Sequence, residues 1–325
     1  MHNVEDLYPL TPTQGGMLFQ CLHEQDSQLY FEQVRADIVG EIEPATVKRA
    51  FETVTSRHPA LRTAIVWEGL ESPLQVVHGD VQIPFDLVDR PGMSSDELDV
   101  WALERRSNGF DLTKAPAQRV AIVDRGAGGL HLVWEFHHIL CDGWSAAMVL
   151  DEVVRLCNGA QLDAHAPAFR DYLAWHQAQD NEATAAYWKQ LLDGFGEPTT
   201  LALPRASNEA AFRAGQCAVS VGGSDLDEIR AFARAQRVTL NSLVQTAWAH
   251  MQSVYSGGDD VIFGVTTSGR PAEMAEVQSI VGMFLNTLPM RVALTPEMTV
   301  EDVIRSIQEQ QLASSEHSSA SLADL

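Results

Sequence analysis

Basic residues, cysteines and long apolar runs are all scarce in this chain of 325 residues. Lysine and arginine number 22 against 44 aspartates and glutamates, so the formal net charge is -22 at pH 7. A chain this acidic repels the phosphates of nucleic acids and of anionic membranes, which argues against both as main partners. No apolar run approaches the roughly 18 residues that a membrane span requires. The opening MHNVEDLYPL lacks a basic segment followed by an apolar one, so we expect no signal peptide.

The cysteines suggest no metal or redox chemistry, because they are scattered and no two of them form a CxxC pair. They are Cys21, Cys141, Cys157 and Cys217. Reduced thiols in a cytosol are the simplest interpretation, so we expect a cytoplasmic location. The contents of hydrophobic residues (45%) and charged residues (20%) are ordinary for a globular protein. The length allows two domains, or one fold built in two lobes.

Strand and helix patterns are mixed in both halves of the chain, without a strict repeat of strand, helix and strand. This mixture predicts an α+β fold with two similar lobes, residues 1–175 and 176–325. In the first lobe, LRTAIVW and PLQVVHG predict a hairpin, and PATVKRAFETVTSR predicts an amphipathic helix. In the second lobe, we expect Ser224 to cap a helix and Pro289 to mark a turn.

The stretch HLVWEFHHILCDGWSAAMVLDEVVRL, residues 131–156, joins a strand pattern to a helix pattern. His137, His138, Asp142 and Gly143 lie between the two. Neighbouring residues of a strand point to opposite faces, so only one of the two histidines can face a given cleft. The other must face the core or a structural partner. A histidine pair is more often structural than chemical, so both interpretations stay open at this level.

Two kinds of chemistry are open to these residues. A metal site could use His138 and Asp142, but their i, i+4 spacing spans a turn and not a helix, and no third ligand pattern is present. We therefore expect no metal. A general base fits better, because an unperturbed histidine titrates near neutral pH. A carboxylate such as Asp142 could orient an imidazole or an arginine, and Gly143 would let backbone and substrate come close.

The segment HHILCDG, residues 137–143, resembles the HHxxxDG motif of nonribosomal peptide synthetase condensation domains. Other segments resemble further motifs of that family in the same order and with similar spacing. They are LTPTQGGMLF (10–19), RHPALRT (57–63), FRDYLAW (169–175) and VGMFLNTLPMR (281–291), and FGVTTSGRPAE before the last is also similar. Because these motifs are co-linear across the whole chain, the sequence is identified as a member of this family.

The resemblance implies a fold like that of chloramphenicol acetyltransferase, with two lobes in a V and a tunnel between them. The HHxxxDG loop would lie at the middle of the tunnel, and donor and acceptor carrier proteins would dock at its two mouths. Each carrier would insert a 4'-phosphopantetheine arm, so the domain itself would bind no cofactor. The acceptor amine would attack the donor thioester and form a peptide bond. A neighbouring adenylation domain is a further implied partner.

The resemblance also assigns roles to single residues. His138 would be the catalytic residue, acting as a base or by positioning the attacking amine, and His137 would be structural. Asp142 would pair with Arg62 of the LRT segment and brace the loop. Gly143 would let the backbone approach the thioester.

Further residues are expected near the substrates or in supporting roles. Those expected to line the tunnel are Trp144, Ser145, Gln14, Ser268 and Asn286. We expect Tyr172 and Trp175 to belong to the core, and Arg291 to form a structural ion pair.

Several alternatives remain within the family. The late motifs, including one like RDxSRNPL, are absent, so we expect the second lobe to be incomplete at its C-terminus. WEFHHILCDGW and LTPTQGGMLF resemble domains whose donor ends in a D-residue. An epimerization domain, an ester-forming relative or a non-catalytic recruiting module would share the fold, although intact HHxxxDG residues argue against the last. Glu135 could serve an epimerase, but strand alternation places it on the face of His137 and not of His138.

Overall fold

The computed structural model describes residues 3–24, 29–163, 165–179, 181–196, 198–200, 217–322 and 325. The chain divides into two compact units. Unit 1 consists of Met1–Gln179 and Ser268–Asn286, and unit 2 consists of Asp180–Thr267 and Thr287–Leu325. The sequence predicts a single boundary after residue 175; the first of these units runs to Gln179 and also includes a segment from late in the chain, 268–286.

The elements of unit 1 alternate irregularly along the chain. Its strands are β1 (Val4–Pro9), β2 (Phe31–Ile38), β3 (Thr63–Val66), β4 (Leu74–His78), β5 (Phe85–Asp89), β6 (Gln118–Asp124) and β7 (Leu130–His137). Its helices are α1 (Pro12–His23), α2 (Pro44–Arg57), α3 (Ser95–Arg106), α4 (Gly143–Cys157) and α5 (Phe169–Gln177). Unit 2 and its border contain the remaining elements, which are α6 (Asn181–Leu192), α7 (Gly223–Gln236), α8 (Leu240–Ser256), β8 (Asp260–Thr267), β9 (Asn286–Ala293) and α9 (Val300–Ser315). Within the described residues, no helix is long and apolar enough to span a bilayer.

Strand β7 lies inside the larger sheet of unit 1, whose strand order is β2-β7-β6-β5. It pairs antiparallel with β2 and β6, whereas β5 and β6 are parallel. The register places Phe31 of β2 opposite His137, the last residue of β7. A second sheet has the order β1-β4-β3 and contains the hairpin of β3 and β4 that the sequence predicts.

The two faces of β7 have different surroundings. Trp134 and Phe136 point into a core cluster with α2 and α4, and Trp134 lies beside Phe51 of α2. Glu135 points to the opposite face, where it contacts Arg105 of α3. The amphipathic pattern of α2 is confirmed, because Val47, Ala50, Phe51 and Val54 are all buried in this cluster. The strand is thus held on both faces, and its end at His137 is firmly placed.

Some sequence expectations are wrong. Helix α7 is capped at Gly222 without a side-chain bond, and the Ser224 hydroxyl donates to Asp225 instead. Pro289 lies inside β9 and marks no turn. A proline is tolerated there because β9 pairs only with β8 in the described residues, so one of its edges needs no N–H donor. The Pro- and Ala-rich stretch 196–215, predicted to be irregular, lies mostly outside the described residues.

In unit 2, helices α8 and α9 pack with the β8–β9 pair around a small apolar cluster. Its buried members are Ala249, Val261, Met290, Val292, Val303 and Ile307. Arg291 of β9 forms an ion pair with Asp260 of β8, with 2.7 Å between Nη2 and Oδ2. This contact confirms the structural ion pair expected for Arg291, and its hydrogen bond raises the pKa of the guanidinium.

Candidate functional site

The chain crosses from β7 to α4 through residues 138–142, which we call the junction loop. Ile139, Leu140 and Cys141 are buried, so the loop is anchored by apolar side chains. Asp142 is the N-cap of α4, and its Oδ1 accepts the backbone N–H of Ser145 at 2.8 Å. Such a cap supplies an acceptor that the first helical turn lacks. His138 is therefore held between the end of a buried strand and the capped start of a helix.

His137 is buried, and both of its ring nitrogens have neighbours. Its Nδ1 accepts the backbone N–H of Ile139 at 3.2 Å, and its Nε2 lies 3.5 Å from Sγ of Cys21. Burial, with a smaller contribution from the charge of His138, lowers the pKa of His137 to about 4. The ring is therefore neutral at pH 7, with its proton on Nε2 because Nδ1 acts as an acceptor.

His138 has different surroundings from its neighbour. Its backbone N–H donates to the carbonyl of Tyr30 at 2.7 Å. Its Nδ1 is buried and has no hydrogen-bond partner among the described residues, while the residue as a whole is half-buried. The accessible part of the ring is thus the side that carries Nε2. This is the atom that could meet a substrate.

Asp142 is fully buried and forms an ion pair with Arg270, with 3.3 Å between Oδ1 and Nη2. Its other oxygen accepts the backbone N–H of Phe284 at 3.4 Å, and its own N–H donates to the carbonyl of Gly282 at 3.1 Å. Arg270 lies over the ring of Phe284 at 3.8 Å from the centroid. Burial lowers the pKa of this arginine, and the charge of Asp142 opposes that effect.

The expected pair of Asp142 with Arg62 is wrong. Arg62 binds Glu5 at 2.8 Å and the backbone carbonyl of His78. The physical reason is local: Arg62 immediately precedes β3, whose sheet contains β1 and β4, so its side chain meets residues of those two strands. It braces the smaller sheet and not the junction loop.

Ser145 is a second link between α4 and the segment 268–286. Its Oγ donates to the carbonyl of Gly282 at 2.9 Å and accepts the N–H of Gly282 at 3.1 Å. It also accepts from Arg270 Nη2 at 2.9 Å. Ser145 is fully buried, so it is a structural residue and does not line a passage. Asp142, Ser145, Arg270 and Gly282 together form what we call the arginine clamp.

Gly282 has no room for a side chain, because a Cβ there would lie 2.2 Å from the ring of Phe169. We expect Gly282→Ala to lower the free energy of unfolding by about 1–3 kcal/mol, the usual cost of overpacking a core. Urea denaturation would measure this loss. Gly143→Ala is the matched control, since a Cβ at Gly143 meets nothing within 4 Å. Equal midpoints for the two variants would contradict this explanation.

The remaining residues expected to line the tunnel have diverse surroundings. Trp144 is exposed, and its indole N–H donates to the carbonyl of Gln278 at 3.1 Å. Ser268 is also exposed. Asn286 is mostly buried and its Oδ1 accepts from Thr13 Oγ1 at 3.1 Å. Trp144 and Ser268 therefore remain candidates for substrate contact, and Asn286 has a structural contact with α1.

Gln14 does not line a passage. It is fully buried, and its amide nitrogen donates to Gln75 Oε1 and to the carbonyl of Ile139, both at 2.9 Å. Its Oε1 accepts the backbone N–H of Thr11 and completes the capping box of α1. Gln14 thus ties α1 to the junction loop, which corrects its expected role.

Two further groups near the loop are structural. Tyr172 is buried beside Phe169 and Phe284, with Trp175 packed against the same cluster, which confirms both as core residues. Burial raises the pKa of Tyr172 to about 12. Glu135 is completely buried, and its carboxylate accepts from Arg105 and Arg119. In the described residues, no group of three or more His, Cys, Asp or Glu is placed to hold a metal ion.

Sequence reasoning missed three residues of the site. Arg270 lies in the segment FGVTTSGRPAE, which resembles the family, and its place in that segment could have identified it as a site residue. Gly282 was visible only as part of a motif. No sequence pattern pointed to Tyr30, because its role depends on the pairing of β2 with β7.

Comparison with known proteins agrees with the motif order. A family model described as Condensation domain matches residues 4–325. The chain belongs to the condensation domain family. Condensation domains of nonribosomal peptide synthetases are acyltransferase-type enzymes that form peptide bonds.

This condensation domain is similar to parts of two long bacterial synthases. It is 36% identical over 343 residues to a component of the linear gramicidin synthase of Brevibacillus parabrevis, covering 99% of the chain and 4% of that relative. It is 35% identical over 322 residues to a component of the mycosubtilin synthase of Bacillus subtilis, covering 96% of the chain and 12% of that relative. The chain thus spans a small part of each of these synthase components.

The fold is that of solved condensation domains. The first condensation domain of the calcium-dependent antibiotic synthetase, in complex with a substrate analogue, matches with a TM-score of 0.79 and 19% identity. The match covers 99% of this chain and 78% of that one. It confirms the α+β fold like that of chloramphenicol acetyltransferase.

Proposed function

We propose that this condensation domain joins a donor acyl or peptidyl group to an acceptor aminoacyl group, each carried as a thioester. The acceptor amine attacks the donor carbonyl, so a C–N bond forms and the donor C–S bond breaks. The donor's thiol leaves and takes up the proton that the amine loses. The observation that supports this proposal is His138, whose Nε2 side is accessible while its backbone is fixed between β7 and α4.

His138 is the proposed catalytic residue. Its Nε2 would accept a hydrogen bond from the attacking amine, either removing the proton or orienting the amine as the tetrahedral intermediate forms. Alignment of two tethered reactants can supply roughly 7–11 kcal/mol of the barrier reduction. His137 is neutral and engaged on both nitrogens, so it supports the loop and takes no part in proton transfer.

The N-terminus of α4 is the proposed site for the charge that develops on the carbonyl oxygen. N–H groups of a first helical turn lack intrahelical acceptors, and the helix dipole favours negative charge there. Asp142 satisfies the N–H of Ser145, whereas Gly143 and Trp144 are exposed at the helix start. A donor of this kind stabilises an oxyanion only when it is held rigidly, which the arginine clamp provides.

The substrates would arrive on 4'-phosphopantetheine arms of donor and acceptor carrier proteins, so no cofactor would be bound by the domain itself. A neighbouring adenylation domain would load the acceptor carrier. The relatives named above are synthase components many times longer than this chain, which supports a multidomain setting. WEFHHILCDGW and LTPTQGGMLF resemble segments of domains whose donor ends in a D-residue. This likeness supports a subtype that takes a D-donor and an L-acceptor.

The test is an assay with two carriers. One carrier bears a donor aminoacyl group, in L and D forms separately, and the other bears an acceptor aminoacyl group. Intact-protein mass spectrometry then detects dipeptide on the acceptor carrier. We expect dipeptide with the D-donor at the higher rate. A broad panel of donors that yields no dipeptide would refute the proposed function.

Deuterium uptake from solvent, measured on the same loaded carriers, separates condensation from epimerization. An epimerase would exchange the α-proton of a carrier-bound residue with solvent deuterium without joining two substrates. We expect no such exchange, because the Glu135 carboxylate is buried between Arg105 and Arg119 and cannot reach a substrate. Deuterium uptake without dipeptide would establish the epimerase.

Gly143→Ala is expected to reduce condensation while leaving the fold intact. A methyl group at Gly143 meets no protein atom within 4 Å, and alanine stabilises a helix relative to glycine. The midpoint of thermal unfolding should therefore stay the same or rise. A slower dipeptide rate would then report lost space for the substrate beside the helix N-terminus. A wild-type rate would show that the substrate does not approach Gly143.

A further inference from the structure

We propose that Tyr30 is a positioning residue for His138: a left-handed backbone at Tyr30 holds the carbonyl that fixes the catalytic histidine. The inference rests on the proposed function, because Tyr30 acts through His138. Tyr30 touches no reacting atom in this scheme, and its contribution is the placement of the imidazole.

The first observation is a hydrogen bond beyond the end of the paired strands. Phe31 and His137 are the last paired residues of β2 and β7. One position further, the N–H of His138 donates to the carbonyl of Tyr30 at 2.7 Å. Tyr30 therefore extends the ladder to His138, although Tyr30 itself lies outside β2.

The second observation is the backbone of Tyr30, whose φ is 58°. This left-handed conformation is uncommon for a bulky residue, and it persists only where the surroundings impose it. Here the phenol hydroxyl donates to Gln20 Oε1 on α1, and the ring lies 6.1 Å from that of His137. The side chain of Tyr30 thus links α1 to the end of β7 and keeps the chain turned at this point.

The third observation is that, among the described residues, no side chain holds the buried nitrogen of the His138 ring. A catalytic histidine commonly has its second nitrogen held by a hydrogen bond. In His138 that nitrogen, Nδ1, is buried without a partner. The direction of the imidazole therefore depends on packing and on the backbone bond to Tyr30. A shift of that carbonyl would move the ring, even though every side chain of the site remained.

The test compares Tyr30→Asn with Tyr30→Val, which are similar in size. Both lose the aromatic ring and the bond to Gln20. Asparagine tolerates the left-handed region, whereas β-branched valine is strongly disfavoured there. We expect kcat for dipeptide formation to be about ten- to a hundredfold lower in Tyr30→Val than in Tyr30→Asn, because small misplacements of reacting groups are costly. KM for both carriers should be the same in the two variants.

A spectroscopic measurement accompanies the kinetics. The ¹⁵N chemical shifts of the His138 imidazole should move in Tyr30→Val and stay near the wild-type values in Tyr30→Asn. Equal kcat values and equal shifts in the two variants would overturn the inference. If Tyr30→Val does not fold, Tyr30→Ala and Tyr30→Gly form a second pair with the same contrast. Wild-type protein without condensation activity would refute the proposed function. Active wild-type protein, together with two variants that have equal kcat values and equal shifts, would refute only the role of Tyr30.

Discussion

His138→Ala is expected to slow dipeptide formation by about 10²–10⁴-fold, the usual contribution of a positioned acid–base group. The change removes the imidazole whose Nε2 side is accessible at the junction loop. Thermal unfolding should change little, because the ring is half-buried and its Nδ1 has no hydrogen bond to lose. Intact-protein mass spectrometry of the acceptor carrier gives the rate, and a melting curve gives the stability.

His137→Ala provides the matched control, with the opposite expected result. This ring is buried and accepts the backbone N–H of Ile139, so its loss should lower the free energy of unfolding by about 1–3 kcal/mol. The rate per folded molecule should fall less than in His138→Ala. A His138→Ala variant that forms dipeptide as fast as the wild type would remove His138 from the mechanism.

Asp142→Ala is expected to lose most of the stability of the fold. The change leaves the guanidinium of Arg270 without its carboxylate, at a position where its side chain is only 2% exposed. Breaking a buried pair in this way costs about 3–5 kcal/mol, and the loss of the helix cap adds about 1 kcal/mol. Urea denaturation and the yield of soluble protein would measure the effect. An unchanged midpoint would show that the arginine clamp contributes nothing to folding.

A double-mutant cycle identifies the partner of Asp142. Arg270→Met removes the buried charge, so its combination with Asp142→Ala should be more stable than the sum of the single effects predicts. Arg62→Met should combine additively with Asp142→Ala, because Arg62 binds Glu5 and the carbonyl of His78. Coupling between Asp142 and Arg62, with none to Arg270, would contradict the structure.

Local patterns predicted much of unit 1 correctly. Apolar spacing in α2 indicated which residues are buried, and the hairpin of β3 and β4 followed from two short apolar runs. Strand β1 was missed because its six residues have only one buried side chain, so no alternation of apolar residues marks it. Strand β5 is likewise mostly exposed or half-buried along its length. Pro289 was misplaced because its tolerance in β9 depends on which edge of the strand is paired.

Sequence alone determined where the proposed site lies. The change from a strand pattern to a helix pattern places His137, His138, Asp142 and Gly143 at one junction, and the alternation of strand residues predicted that the two histidines have different surroundings. These are local properties of the backbone, so neighbouring residues suffice to infer them. The motif order then predicted the family correctly.

Only the tertiary structure decided which residues hold that junction in place. Asp142 and Arg270 are 128 positions apart, and no periodicity links residues so distant. Arg62 was an equally good partner by charge, and only the sheet of β1, β4 and β3 directs it to Glu5. Tyr30 likewise reaches His138 through strand pairing. Among chemically equivalent residues, the one that makes a contact is the one that lies close enough. Its position depends on the packing of the whole fold.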